Sequence, residues 1–435
     1  MSEQILHDFD YSYREARQHS VMNESTVTIL PLNNTVVRGK EIVFEVPARE
    51  QFTPLHDAKL KVTCKIVRKG GAPCNTADAA APDKVFVVNN VFHSLFSSVS
   101  VHMNGHLAEL SDNYPYKAYL GTLLAYDNAV MKERGRLTGW SKDTTGHMDV
   151  ATSDGANQGA AARAAWFSNS KTVTMIGRLQ SDMFMQGRSI PPGTRLKVTL
   201  KPSPDSFVLM CPATKEYEMH ILTAELLLQI QQAPSSLVQA VEKLTSKDNL
   251  KLNYRRVEVT TENMRGKKKE DVLLFKGSPL PDRFVVAIVT NKAYAGQFEC
   301  NPFNFKHCNI QSIGVTVDST NYPSNPYTPE FTDGDGHLQL FDSMLREFNA
   351  DNENHMINIT ASEFADGYTL FPFRLVPRTF GGDVLGEPIK GVLTLKISLK
   401  EEVAETLTII ILSEHRSEYE IGKLGGVSTE PKPQQ

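Results

Sequence analysis

The residues whose types could do chemistry are scattered through the chain. Asp333-Gly334-Asp335-Gly336 places two carboxylates in a Gly-bent loop, an arrangement that suits calcium. The later ligands of a calcium loop do not follow, so a solvated acidic turn is expected. His102 and His106 stand four apart across a strand and a turn, and their rings need not converge. His307 and Cys308 are adjacent, and strand neighbours face opposite ways. Lys267-Lys268-Lys269, after Arg265, has the charge to meet phosphate. Glu270 and Asp271 follow at once, so a solvated loop between strands is expected. Asn301-Pro302-Phe303-Asn304-Phe305 offers faces for stacking on a base or a sugar, although such residues more often plug a core. The chain has no G-x-S-x-G, no H-E-x-x-H and no phosphate-binding G-x-x-x-x-G-K. Its five cysteines, Cys64, Cys74, Cys211, Cys300 and Cys308, are odd in number and irregular in spacing, which speaks against a zinc site or a disulfide framework. No catalytic, cofactor-binding or metal-binding residue is assigned, no cofactor is expected, and the expectation is a protein that is not an enzyme.

The chain has 435 residues, enough for two domains of ordinary size. It is 40% hydrophobic and 22% charged, the composition of a folded globular protein. No apolar run reaches the roughly 18–20 residues needed to cross a bilayer as a helix. The first residues lack a signal sequence, so synthesis inside a host cell rather than secretion is expected. The glycosylation-type triplets at Asn23, Asn33 and Asn358 are then chance matches. The net charge of -4 gives no footprint for nucleic acid, and the arm over 1–22 is net acidic. Phe9, Tyr11 and Tyr13 alternate in that arm, which suits either addition to a neighbour's sheet edge or a mobile tail.

Period-2 apolar patterns dominate the rest. Strands are expected around Val27, at Glu41–Val46, Leu60–Val67, Val85–Val91, Ser98–Met103, Thr172–Ile176 and Leu196–Leu200. In the second half they are expected at Tyr254–Val259, Phe284–Val289, Ile313–Val317, Met356–Ile359, Thr369–Leu375, Leu393–Leu399 and Leu407–Leu412. Helices are expected after Asn113 and over His337–Phe348. The segment 132–170 is rich in Gly, Ala and polar residues and reads as a long exposed loop.

A seam divides the chain. From Met219 a long strand alternates, with His220, Leu222, Ala224, Leu226, Leu228 and Ile230 on one face. After Pro234 a short helix carries Leu237, Val238, Val241 and Leu244 in one stripe. The halves on either side repeat in order: Leu196-Lys197-Val198-Thr199-Leu200-Lys201 matches Leu395-Lys396-Ile397-Ser398-Leu399-Lys400, and the seam strand matches Leu407–Leu412. The expected fold class is all-β: two consecutive jelly-roll β-sandwich domains, with short helices in loops and a helical linker. The expected organisation is an N-terminal arm (1–22), a first jelly roll (23–232), a linker (233–247), a second jelly roll (248–424) and a disordered tail (425–435).

Six segments carry a family resemblance. They are Val91-Phe92-His93-Ser94-Leu95-Phe96-Ser97-Ser98-Val99 leading to Asn104-Gly105, Tyr114-Pro115-Tyr116-Lys117-Ala118-Tyr119, and Gly177-Arg178-Leu179-Gln180-Ser181-Asp182-Met183-Phe184. The others are Asp205-Ser206-Phe207-Val208-Leu209-Met210, Asn301-Pro302-Phe303-Asn304-Phe305-Lys306-His307 and Gly367-Tyr368-Thr369-Leu370-Phe371. From about residue 40 to 422 the chain resembles the double jelly-roll major capsid proteins of Polinton-like and adintovirus-like double-stranded DNA viruses, whose relics occur in invertebrate genomes. It departs from them in its short arm and in the loop at 150–165.

The resemblance implies a structural capsid protein located in the virion. Three copies around an axis would form a pseudo-hexagonal homotrimer that tiles an icosahedral shell. The seam helix would fix the two barrels side by side, and 132–170 would face outward. Partners implied are further copies of the chain and vertex or minor capsid proteins, without sequence-specific binding of nucleic acid; a membrane beneath the shell is left open. Two other readings stand beside this one: a carbohydrate-binding β-sandwich protein, and a minor capsid or vertex protein.

Overall fold

The structure is a computed structural model. It describes residues 21–421, apart from 33, 77–81, 153–154, 213–215, 248, 278, 333, 350–356 and 378–387. The expectations for the arm, the 425–435 tail, Asp333 and Met356 therefore lie wholly or mainly outside the described residues.

Alternating apolar residues build ten strands in the first half: β1 (Asn23–Ile29), β2 (Ile42–Val46), β3 (Lys59–Arg68), β4 (Phe86–Val87), β5 (Phe96–Met103), β6 (His106–Ser111), β7 (Val173–Gly177), β8 (Leu196–Pro202), β9 (Leu209–Met210) and β10 (Tyr217–Gln232). The second half contributes β11 (Leu250–Met264), β12 (Lys269–Gly277), β13 (Arg283–Thr290), β14 (Ile310–Val317), β15 (Thr320–Tyr327), β16 (Phe371–Arg374), β17 (Gly391–Leu399) and β18 (Leu407–Ile421).

The sheets give the architecture. The first half forms two four-stranded sheets, β1-β10-β3-β7 and β2-β8-β5-β6, and a two-stranded β4-β9 pair. The second half forms β11-β18-β13-β16 and β12-β17-β14-β15. Substituting each strand by its counterpart turns the first pair of sheets into the second, so the repeat read from the sequence is a repeat of topology. Each half is a jelly roll, and the fold is all-β with helices confined to connections. One contiguous apolar core runs through both halves, from Ile29 and Phe44 to Leu412 and Ile421.

Several expectations need correction. Val85–Val91 is not one strand: only Phe86–Val87 pairs, and Val91–Ser94 is a helical turn. The residues expected as a strand at 357–359 form none: Asn358 N donates to Leu123 O at 2.8 Å, and the segment leads into a short helix, Ala361–Ala365. The long strand β10 does not keep one face. A bulge between Ile221 and Thr223 shifts its register. Beyond it Ala224, Leu226, Leu228 and Ile230 are buried, whereas before it Tyr217 and Met219 are buried and Leu222 is 41% exposed. An extra residue in a period-2 pattern swaps the faces.

The seam helix, Ser235–Lys247, joins β10 to β11 as expected, yet packs into neither barrel. Leu237 is 37% and Leu244 60% exposed. Val238 and Val241 are half-buried beside an open cleft of about 2270 Å³ at one end of the first barrel. The barrels are held together elsewhere.

Candidate assembly interface between the two barrels

The helix Tyr114–Ala125 sits where the barrels meet. Asn113 precedes it with φ 52, a left-handed conformation that Asn tolerates, and Pro115 sets the first turn. The helix is buried on all sides, including Tyr116, Lys117, Tyr119, Leu120 and Leu123. The aromatic run of the second barrel docks on it. Phe303 stacks on Tyr119 with ring centroids 4.0 Å apart and meets Tyr116 edge-on at 5.6 Å. Phe305 meets Tyr119 at 5.9 Å. Phe303 and Phe305 are fully buried, so the run expected either to stack on ligand or to plug a core does the latter. Tyr294 Oη donates to Asn113 Oδ1 at 3.1 Å and closes the other end of the contact.

The 132–170 segment is a folded bracket rather than an exposed loop. It contains the helices Asn128–Arg134 (in part) and Gln158–Trp166, the latter capped by Asn157, whose side chain accepts from Ala160 N. Trp140, Met148, Asn157, Ala160, Arg163 and Phe167 are all buried. Arg163, with no exposed surface, donates to Val87 O at 2.8 Å, to Asp143 Oδ1 at 2.5 Å and to Ser141 O. Asp143 also accepts from Asn157 Nδ2 at 2.8 Å and, across the interface, from Asn301 Nδ2 at 3.1 Å. Every polar atom of this buried ion pair that faces a partner is used, which is the condition for its surviving burial.

Three further contacts fasten the bracket to the second barrel. Asp149 accepts from Asn301 N at 3.0 Å and from Asn304 Nδ2 at 2.7 Å. Lys142 Nζ lies 2.6 Å from Glu363 and donates to Asn358 O at 2.5 Å, over the ring of Tyr368. Tyr368 Oη donates to Asp143 O at 2.9 Å. Gly367, at φ +89, allows the close approach: a Cβ there would collide with Met148 Sδ.

A second charged cluster lies on the flank. Lys117 Nζ is 3.0 Å from Glu109 and 2.8 Å from Asp182. Burial opposes ionisation of Glu109, but Lys117, the hydroxyls of Ser111 and Ser181, and Met183 N–H outweigh it and hold its pKa below the usual range. Burial raises Asp182 to about 7, partly offset by Lys117. Asp182 Oδ2 accepts from Val257 N at 2.9 Å, and Arg188 Nη1 donates to Lys251 O at 2.8 Å. Both reach backbone of β11, the edge strand of the second barrel. Nearby, Gln180 N donates to Tyr114 Oη at 3.0 Å, so the hydroxyl proton points to His93 Nδ1 at 2.7 Å. Burial depresses His93 to about 3 and keeps its imidazole neutral.

The other candidates do not converge. His106 pairs opposite Met103 and His102 opposite Leu107, which separates the two rings. His307 stacks on Phe331 at 4.4 Å, and Cys308 Sγ lies 3.8 Å from Lys306 O. Lys267, Lys268 and Lys269 are exposed, and Glu270 accepts from Arg265 N and Lys267 N, so the run is a solvated turn held by its own acid. Asp335 is exposed. Among the described residues no group of three or more His, Cys, Asp and Glu is placed to hold a metal. Cys64, Cys74 and Cys211 are buried and Cys300 and Cys308 half-buried, none of them in a disulfide. Sequence reasoning missed Asp143, Arg163 and Lys117. The signal for the bracket was present in Asn157 as a cap before an alanine-rich run.

The geometry is thus that of a scaffold: two equal barrels locked side by side. Comparison with known proteins meets it at that point. A chain of the Sputnik virophage cryo-EM structure matches with a TM-score of 0.63 at 9% identity, over 97% of this chain and 91% of that one. The fold is a double jelly roll. The Faustovirus major capsid protein matches with a TM-score of 0.58 at 10% identity, over 93% and 92% of the two chains. The mavirus major capsid protein matches with a TM-score of 0.53 at 12% identity, over 97% and 94%. Two of these three neighbours are major capsid proteins by name. A Caenorhabditis elegans protein described as uncharacterized is 22% identical over 333 residues, covering 73% of this chain and 75% of its own length. No protein-family model matches the chain.

Proposed function

We propose that the chain is a major capsid protein that assembles as a homotrimer into a pseudo-hexagonal building block of an icosahedral shell. The observation that carries the reading is the repeated strand order, with two jelly rolls locked side by side in one chain. Three such chains give six barrels around one axis, a shape that tiles. We take 23–232 and 248–424 as the two domains and 233–247 as their linker. The role is structural and not enzymatic. The six sequence segments resembling Polinton-like and adintovirus-like capsid proteins favour that lineage. The partners are further copies of the chain and vertex or minor capsid proteins, and the place of action is the virion, after synthesis in the host-cell interior.

The carbohydrate-binding alternative needs an exposed aromatic platform, and the best candidate, Phe303 with Phe305, is buried. Size-exclusion chromatography with light scattering tests the proposal. The expected particle has three times the 48.4 kDa chain mass, or is a larger shell. A stable monomer that binds glycans would overturn it.

A further inference from the structure

The two barrels are alike in topology but not in what covers their edge strands. β11 and β1 are counterparts, each at the outer edge of its sheet. An open edge strand invites pairing or must be covered. β11 is covered within the chain: the helix Tyr114–Ala125 and the turn Asp182–Met185 pack on it. Asp182 takes the outward N–H of Val257, and Arg188 caps the carbonyl of Lys251. Residues 251 and 257 are an even number apart, so both groups point away from β18.

The first barrel lacks this cover among the described residues. Asn23–Thr26 and Thr28 of β1 are exposed. Five of the thirteen exposed large hydrophobic residues among the described ones flank this strand in sequence: Val21 (45%), Met22 (67%), Leu30 (49%), Leu32 (59%) and Val37 (49%). Apolar surface is thus left open at both ends of the exposed edge. The second barrel carries the missing complement. Its helix Leu338–Asn349 occupies the place in the repeat that Tyr114–Ala125 occupies in the first. Among the described residues no barrel lies on its outer side: Leu338 is 41% exposed, and Gln339, Asp342 and Arg346 are exposed.

We infer that the β1 edge is covered by the second barrel of another copy of this chain, with the Leu338–Asn349 helix in the role that Tyr114–Ala125 plays inside the chain. The contact is heterologous and head-to-tail, because its two surfaces lie on different barrels. A head-to-tail contact that repeats the internal one closes into a ring when its rotation divides a full turn, which a trimer of two-barrel chains requires. The inference rests on the trimer reading and says which surfaces make the trimer.

The test uses the full chain with a photo-reactive residue at the exposed edge, Thr28→p-benzoylphenylalanine. Light scattering is measured on the same preparation. Irradiation is expected to give a band at twice the chain mass, with cross-linked peptides from the 338–349 region. In parallel, the Leu30→Asp/Leu32→Asp variant should self-associate about tenfold more weakly or worse, with unchanged circular dichroism. A trimer whose cross-links fall on 1–20, or on 23–232 of the other copy, or do not form, overturns this edge assignment alone. A monomer overturns both the assignment and the trimer.

Discussion

The helices Tyr114–Ala125 and Leu338–Asn349 occupy the same place in two copies of one fold, and they have become different objects. The first is buried on nearly every face, Lys117 included, because a second barrel lies against it. The second is amphipathic, with Leu340 and Met344 inward and Gln339, Asp342 and Arg346 outward. Duplication supplies two equal barrels, and the interface then makes them unequal. The inner helix gained a buried charge, Lys117, with two carboxylates to hold it. Such a cluster costs desolvation, and here it also ties the first barrel to the β11 backbone through Asp182 and Val257.

Substitution at the inner helix is the strongest way to break that difference. Lys117→Met leaves Glu109 and Asp182 buried without their cation, at a cost of about 3–5 kcal/mol. Asp342→Ala, on the exposed face of the outer helix, should stay within about 0.5 kcal/mol of the parent. Chemical denaturation of both variants measures the contrast, and equal losses would mean that the helices are equivalent after all. Phe303→Ala comes next, removing the ring stacked on Tyr119 at about 3–5 kcal/mol. Asn301→Ala follows at about 1–3 kcal/mol, because it strips a buried partner from Asp143. Both should raise the susceptibility of 132–170 to limited proteolysis relative to the parent.

The pH dependence sharpens the same contrast. His93 is held neutral against Tyr114, and its folded pKa of about 3 lies below the unfolded value of 6.5. The unfolded chain therefore binds the proton first. Stability contributed by the neutral ring is complete above pH 6.5 and is lost as pH falls toward 3, by up to about 1.4 kcal/mol per pH unit. His93→Gln should flatten the acid limb of a stability profile; an unchanged limb would show that the ring is not the sensor. The smallest effect belongs to the seam helix. Val241→Asp, on a half-buried face that packs into neither core, should cost under about 1 kcal/mol of fold stability.

The strand framework was readable because period-2 burial is local. Leu196–Leu200 and Leu393–Leu399 announce their faces residue by residue. β15 escaped because Pro323 and Pro326 argue against a strand, and an edge strand is where such residues are tolerated. The bracket escaped for a different reason. Much of its burial is polar, and the pairs that permit it join residues far apart: Asp143 with Asn301, Lys142 with Glu363, Tyr368 with Asp143. Gly159 and Ala160 look like loop residues, yet a Cβ at Gly159 would collide with Lys142 O, so their smallness serves close packing. The seam stripe misled in the opposite sense, because an apolar face in sequence does not say which molecule covers it.

The proposed trimer sets six barrels of one topology, two per chain, around one axis. Negative-stain electron microscopy of the purified full chain tests it most directly. The account predicts six-lobed, nearly hexagonal projections with threefold symmetry. Two-lobed particles of a single chain, at concentrations where light scattering shows no larger species, would contradict it.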